Sequence, residues 1–505
     1  MKTKKLAIFL FTLILAIGLL PMSVFAAQRE VVAGSTASIT VNSAVKNDEL
    51  AAYKVIDITY DAGTNHLTYA WNSDFADYFA GTTSYNTTAY TVEDFAALTS
   101  ESDSLKNLLA QLPNYIASRT TLSPAKTATV DSDGNATFAG LAMGEYFIRP
   151  TSSTSVYQLM LQKVEPIADN GKYVIDDVSF TAKKEEVTIT KTADKTSVTK
   201  NEKVNYTITA DIPTYASNTT DKSFYISDLL PDGLTIDTDS ITVKIDGVVV
   251  DAGAYTLAKT PNTTVEPYYT FKLSVDTDNY DTNWAANGGK KLVITYSATF
   301  NDNDTTEVNT KETNTVTFDY SYYPYDADSH NQKTATADVT TFAIKIDKFV
   351  SSDTSKKLAG AKFDLYRTAT QAEVDANTAV DIPQTTPTIK GIRLEGDIVT
   401  NDSGIAIFEK YEANGTNYDY YLVETQAPSG YNILDNAVKV NFSDTDVAAT
   451  AGIYTVEVPN SSGIKLPITG GEGIVLFTII GIALMGSAVI LLMISRRKPK
   501  TTEKK

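Results

Sequence analysis

The chain has 505 residues, with 43 Lys+Arg against 61 Asp+Glu (net charge −18), two His and no Cys. So acidic a chain repels phosphate, which argues against nucleic-acid binding, and the missing Cys excludes disulfides, thiolate nucleophiles and Cys-ligated metal centres. His66 and His330 form no HExxH motif or cluster, so the composition points to a structural or binding protein, not an enzyme, with no cofactor and no metal. At the N-terminus, residues 1–26 read as a secretory signal peptide. Lys2, Lys4 and Lys5 precede an apolar run, Leu6–Leu20, and the small residues Val24 and Ala26 precede the cut.

From Ala37 onward the chain is mainly β. Short segments such as Val187–Lys191, Val204–Thr209, Lys291–Tyr296 and Tyr454–Val458 alternate apolar and polar residues, as half-buried strands do. Asp133-Gly134, Asp232-Gly233, Asp246-Gly247 and Asn414-Gly415 punctuate them as turns. This is the pattern of tandem β-sandwich domains. One stretch, Thr91 to Ile116, has helical spacing, interrupted by Pro113. An internal repeat sets the domain count: Asp133–Phe138 leads into Gly144–Arg149 as Asp402–Phe408 leads into Tyr420–Glu424. The expected domains are 27–183 (with the helix), 184–340 and 341–462. Asn301–Asp304 is acidic enough to raise the question of calcium, but a solvated turn is the better reading.

Lys348–Phe363 contains a Lys strand followed by Leu358-Ala-Gly-Ala-Lys-Phe363, and resembles the opening of a CnaB-type Ig-like domain. Tyr421–Tyr431 resembles the pilin E-box, YxLxETxAPxGY. At the C-terminus, Leu466-Pro467-Ile468-Thr469-Gly470 precedes an uncharged stretch, 473–495, long enough for a transmembrane helix, and a basic tail, 496–505, that should stay cytoplasmic. That order resembles the LPxTG cell-wall sorting signal of Gram-positive surface proteins. With these motifs the chain resembles a sortase-assembled backbone pilin built from CnaB/CnaA-type Ig-like domains, secreted and held at the cell wall as a pilus. The resemblance implies cleavage by a partner sortase between Thr469 and Gly470, and acyl transfer to an amine. The partners it implies are the sortase, other copies of this chain in a head-to-tail polymer, ancillary pilins, peptidoglycan and host surface ligands. The alternative is a monomeric LPxTG-anchored adhesin or ancillary pilin.

The resemblance also implies intramolecular Lys–Asn isopeptide bonds, promoted by a buried carboxyl. In the last domain the carboxyl is Glu424. Lys345 and Lys348 both compete for the amine. Strand parity selects Lys348, which shares a face with Ile344 and Ile346, and Asn460 continues the face of Val456 and Val458. In the middle domain the corresponding set is Lys191, Asp228 and Asn314, with Asn314 opening the last long strand. Asp232 is set aside because it lies in a Pro-Asp-Gly turn. In the first domain Arg149 aligns with Glu424 and cannot shuttle protons, so no bond of this type is expected there. The intersubunit amine falls in Tyr173–Lys183, a degenerate pilin motif without its Trp and Tyr-Pro. Lys183 is the choice and Lys184 its neighbouring candidate.

Overall fold

The structure, a computed structural model, describes residues 29–98, 102–301, 308–309, 311–414, 418–463 and 472–495. The signal peptide, the Leu466–Gly470 motif, the basic tail and most of the acidic 301–304 stretch lie outside the described residues. The chain divides into two compact units that part at Thr341/Phe342, with Lys410–Glu412 grouped in the first.

The first unit holds residues up to Thr341. Its strand Thr36–Asn42 alternates buried Ala37, Ile39 and Val41 with more exposed neighbours, as a strand with one face on a core must. It is flanked by Ala136–Ala142 (antiparallel) and Val178–Thr181 (parallel). A second sheet is built on Glu49–Asp61 and Gly144–Ser152. Farther along the chain two five-stranded sheets carry Ile189–Ala193, Lys203–Asp211 and Lys291–Phe300 in one, and Phe224–Leu229, Lys311–Ser321 and His330–Thr340 in the other. Asn314 therefore lies on the penultimate strand, not the last: His330–Thr340 pairs back on Lys311–Ser321 along its whole length. The reason is that the tyrosine-rich 322–329 stretch is a turn and not the end of the domain.

The expected long helix is three short ones, Val92–Ala97, Asp103–Ala110 and Leu112–Ser118. Capping explains the breaks. Thr91 and Asp94 form a capping box, Ser102 accepts from the Leu105 amide, and Pro113 occupies the first turn of the third helix, where its missing N–H costs nothing. Their apolar faces bury Phe95, Leu105, Leu109 and Tyr115.

The second unit packs two sheets. Phe342–Val350 sits between Asp353–Lys357 and Ile405–Tyr411 and pairs in parallel with Ile453–Asn460. Opposite lies a five-stranded sheet containing Lys362–Thr368 and Tyr420–Gln426. Asn414 is no exposed turn residue. It is fully buried, donates to the carbonyls of Tyr418 and Val440, and accepts from the Phe442 amide. A 24-residue helix, Glu472–Ser495, ends the described chain. Among the residues with described side chains no helix is long and apolar enough to cross a membrane, and residues 472–477 and 494–495 of this helix lie outside that set.

Candidate functional site

Two buried Lys–carboxyl–Asn clusters stand out. In the second unit, Lys348 and Asn460 lie on adjacent parallel strands, with Lys348 opposite Val458 and Val350 opposite Asn460. Lys348 Nζ donates to Asn460 Oδ1 at 2.6 Å and lies 3.0 Å from Glu424 Oε1, which comes from the facing sheet. Asn460 Nδ2 donates to the same Glu424 oxygen at 3.0 Å, and the Leu434 amide holds Oε2 at 2.7 Å. Lys348 and Glu424 are fully buried and Asn460 nearly so. Burial pushes the Lys348 amine below its ordinary value, against the opposing pull of Glu424. The Phe363 ring lies 5.2 Å from Nζ. Lys345, on the opposite strand face, is only half-buried, as parity requires.

In the first unit, Lys191 reaches across from one sheet to Asn314 and Asp228 on the other. Its Nζ donates to Asn314 Oδ1 at 2.6 Å and contacts Asp228 Oδ2. Asp228 and Asn314 are on neighbouring strands and fully buried. Burial lowers the Lys191 amine to about 8, with Asp228 opposing, and raises the Asp228 carboxyl against the counter-pull of Lys191. Both shifts move the pair toward its neutral form. Asp232 is exposed in its turn. Sequence reading missed Tyr296, on Lys291–Phe300. Its hydroxyl donates to Asp228 Oδ1 at 2.9 Å and accepts from Asn314 Nδ2 at 2.7 Å. Only its place on an inward-facing strand position hinted at it.

The repeat read from the sequence has a geometric counterpart. Asp131 and Asn401 each cap a turn by accepting from the amide four residues on, with Gly134 and Gly404 at positive φ. The Ala44 amide donates to Gly134 O at 2.9 Å, as the Lys348 amide donates to Gly404 O at 2.8 Å. Ala44 thus occupies the position of Lys348, and Arg149 that of Glu424. Arg149 is turned to other use: it forms a buried ion pair with Asp326 at 2.6 Å and lies over the Tyr323 ring.

Lys183 and Lys184 are both exposed, just after Val178–Thr181. The Lys183 carbonyl accepts from Gln158, and Lys184 opens a strand paired to Ser155–Tyr157. Among the described residues no cluster of His, Asp and Glu could hold a metal.

With this geometry established, comparison with known proteins gives concordant results. Residues 342–455 match the family of prealbumin-like fold domains (SpaA), and residues 458–500 match the LPXTG cell wall anchor motif. Over 340 residues the chain is 24% identical to the fimbrial subunit type 1 of Actinomyces viscosus, covering 58% of this chain and 61% of that protein. The chain thus spans about three fifths of the length of the curated relative it matches. Its fold is similar to the T6 backbone pilin of Streptococcus pyogenes (TM-score 0.56, 16% identity, 85% of this chain and 99% of that one). It is equally similar to the major pilin SpaD of Corynebacterium diphtheriae (TM-score 0.55, 15% identity, 86% and 99%). The chain therefore has the fold of these major pilins, and its C-terminal stretch matches the LPXTG cell wall anchor motif.

Proposed function

We propose that this chain is the shaft subunit of a covalently polymerised pilus. A sortase cuts after Thr469 and transfers the acyl group to Lys183 of the next copy. Residues 473–495 hold the precursor in the membrane until then, and peptidoglycan receives the finished polymer. Such head-to-tail joining uses unlike surfaces and does not close, so it builds a filament. Three Ig-like domains, 27–183, 184–340 and 341–462, make up the subunit, and the last two each carry one Lys–Asn bond.

The observation that carries this reading is the dry Lys348–Glu424–Asn460 cluster. A charged amine and carboxylate are costly to bury. Burial pushes the Lys348 amine toward its neutral form, and the amine is held on the Asn460 amide that it would attack. Lys348 Nζ attacks Asn460 Cγ, Glu424 carries the surplus proton from Nζ to Nδ2, the Cγ–Nδ2 bond breaks and ammonia leaves. Lys191, Asp228 and Asn314 do the same in the middle domain. The chain between Lys183 and Thr469, which transmits tension in the polymer, then runs through both cross-linked domains and bypasses the first. Arg149 and Ala44 are tolerated there for that reason.

The test is Lys183→Arg against Lys184→Arg in cells with their native sortases, since guanidinium is too weak a nucleophile to replace the amine. The expected result is loss of the detergent-resistant high-mass ladder in the Lys183 variant alone. A ladder that persists in the double variant would move the protein to the monomeric adhesin class.

A further inference from the structure

The two clusters differ in how the carboxyl meets the leaving nitrogen. In the second unit Asn460 Nδ2 hydrogen-bonds Glu424 directly. In the first unit both oxygens of Asp228 are engaged elsewhere, Oδ2 with Lys191 Nζ and Oδ1 with the Tyr296 hydroxyl, and Asn314 Nδ2 donates to that same hydroxyl. Asp is one methylene shorter than Glu, and the phenol fills the gap. We infer that Tyr296 is the proton relay of the middle-domain reaction, standing between Asp228 and the nitrogen that leaves as ammonia.

This rests on the Lys191–Asn314 bond proposed above. The step begins with a neutral Lys191 amine and a protonated Asp228. Nζ attacks Asn314 Cγ, and the carbonyl electron pair moves onto Oδ1. Nδ2 becomes a basic amine with a free lone pair, so the two hydrogen bonds at Tyr296 reverse direction. The Asp228 proton on Oδ1 passes to the Tyr296 oxygen while the phenol proton passes to Nδ2. Nζ gives its surplus proton to Asp228 Oδ2. The Cγ–Nδ2 bond then breaks, the carbonyl re-forms and ammonia leaves. Asp228 ends neutral and Tyr296 ends as it began.

Tyr206 supplies the control. Its ring stacks on Tyr296 at 5.3 Å, and its hydroxyl lies near Asn314 but makes no hydrogen bond to Asp228. The full chain is pulse-labelled in cells, digested, and the Lys191–Asn314 and Lys348–Asn460 cross-linked peptides are followed by mass spectrometry. Tyr296→Phe should slow the first bond on the order of 100-fold, the usual scale of general acid–base contributions, and leave the second at the wild-type rate. Tyr206→Phe should leave both unchanged. A wild-type rate for Tyr296→Phe, or equal slowing by Tyr206→Phe, overturns the relay. In case Phe disturbs folding, 3,5-difluorotyrosine at position 296 keeps the shape and the hydroxyl but changes its acidity. It should shift the rate several-fold, and an unchanged rate overturns the relay. Absence of the Lys191–Asn314 peptide from the wild type would instead bring down the underlying reading, and the relay with it.

Discussion

At the scale of single residues, burial decides what a polar group does. Glu424 has its two oxygens held by Lys348, Asn460 and the Leu434 amide, so removing it strands an amine in an apolar core. Glu424→Ala should leave intact mass one ammonia heavier than the wild type and make the second unit trypsin-sensitive. An unchanged mass difference, read by whole-protein mass spectrometry, would show that Glu424 does not promote the bond. His330 illustrates the opposite outcome. Burial alone would lower its pKa, but hydrogen bonds to Asp221 and Asp319, 2.6 Å on either side, raise it to about 9. Its folded value exceeds the unfolded 6.5, so its contribution is complete below about pH 6.5 and is lost as pH rises through about 9. His330→Gln should therefore cost roughly 1–3 kcal/mol at pH 6 and flatten the decline between those limits. Denaturant titrations of the first unit at pH 6 and pH 9.5 would check it.

At the scale of elements, the recurring unit is a capped turn laid against the first strand of a sandwich. Gly404 has φ +72°, and a Cβ there would come within 2.3 Å of the Lys348 carbonyl oxygen. The turn thus sets the height of the strand that carries Lys348. Gly404→Ala combines left-handed strain with a backbone clash and should destabilise the second unit by roughly 2–4 kcal/mol. It should also slow the Lys348–Asn460 bond, because a shift of even an ångström spoils attack geometry. A Cβ at Gly134, in the matching turn, would come no closer than 3.3 Å to the Ala44 carbonyl oxygen. Gly134→Ala should therefore cost less. Thermal melts of the two variants, with the cross-linked peptide yield, separate strain from misplacement.

At the scale of the whole molecule, residues 29–341 share one compact unit, and polar contacts made by the 320–331 stretch help to join it. Tyr320 and Tyr322 donate to the carbonyls of Thr154 and Thr151, and Arg149 pairs with Asp326 where both are nearly dry. Arg149→Met would leave Asp326 an unpaired buried charge, at a cost of about 3–5 kcal/mol. The expected readout is faster hydrogen exchange in Gly144–Ser152 and in the 320–331 stretch together. Loosening of one without the other would mean that the ion pair does not join them.

How much of this was legible in the chain follows from the range of each signal. Lys348, Glu424 and Asn460 were readable because strand parity and a long motif act over a few residues, and a buried face must continue its own alternation. Arg149 in the Glu position was readable by the same alignment. The breaks in the helical stretch were hinted at by Pro113, but they depend on caps at Thr91 and Ser102 that periodicity overlooks. Tyr296, 18 residues from Asn314 and 68 from Asp228, has no local mark. The role of Asp326 toward Arg149, 177 residues away, has none either. The β architecture and the inward-facing Lys, carboxyl and Asn were legible in the chain, because composition and periodicity are properties of short segments. Only the tertiary structure decided which hydroxyl bridges the middle-domain pair and what Arg149 binds, because those contacts exist only once facing sheets have closed and excluded water.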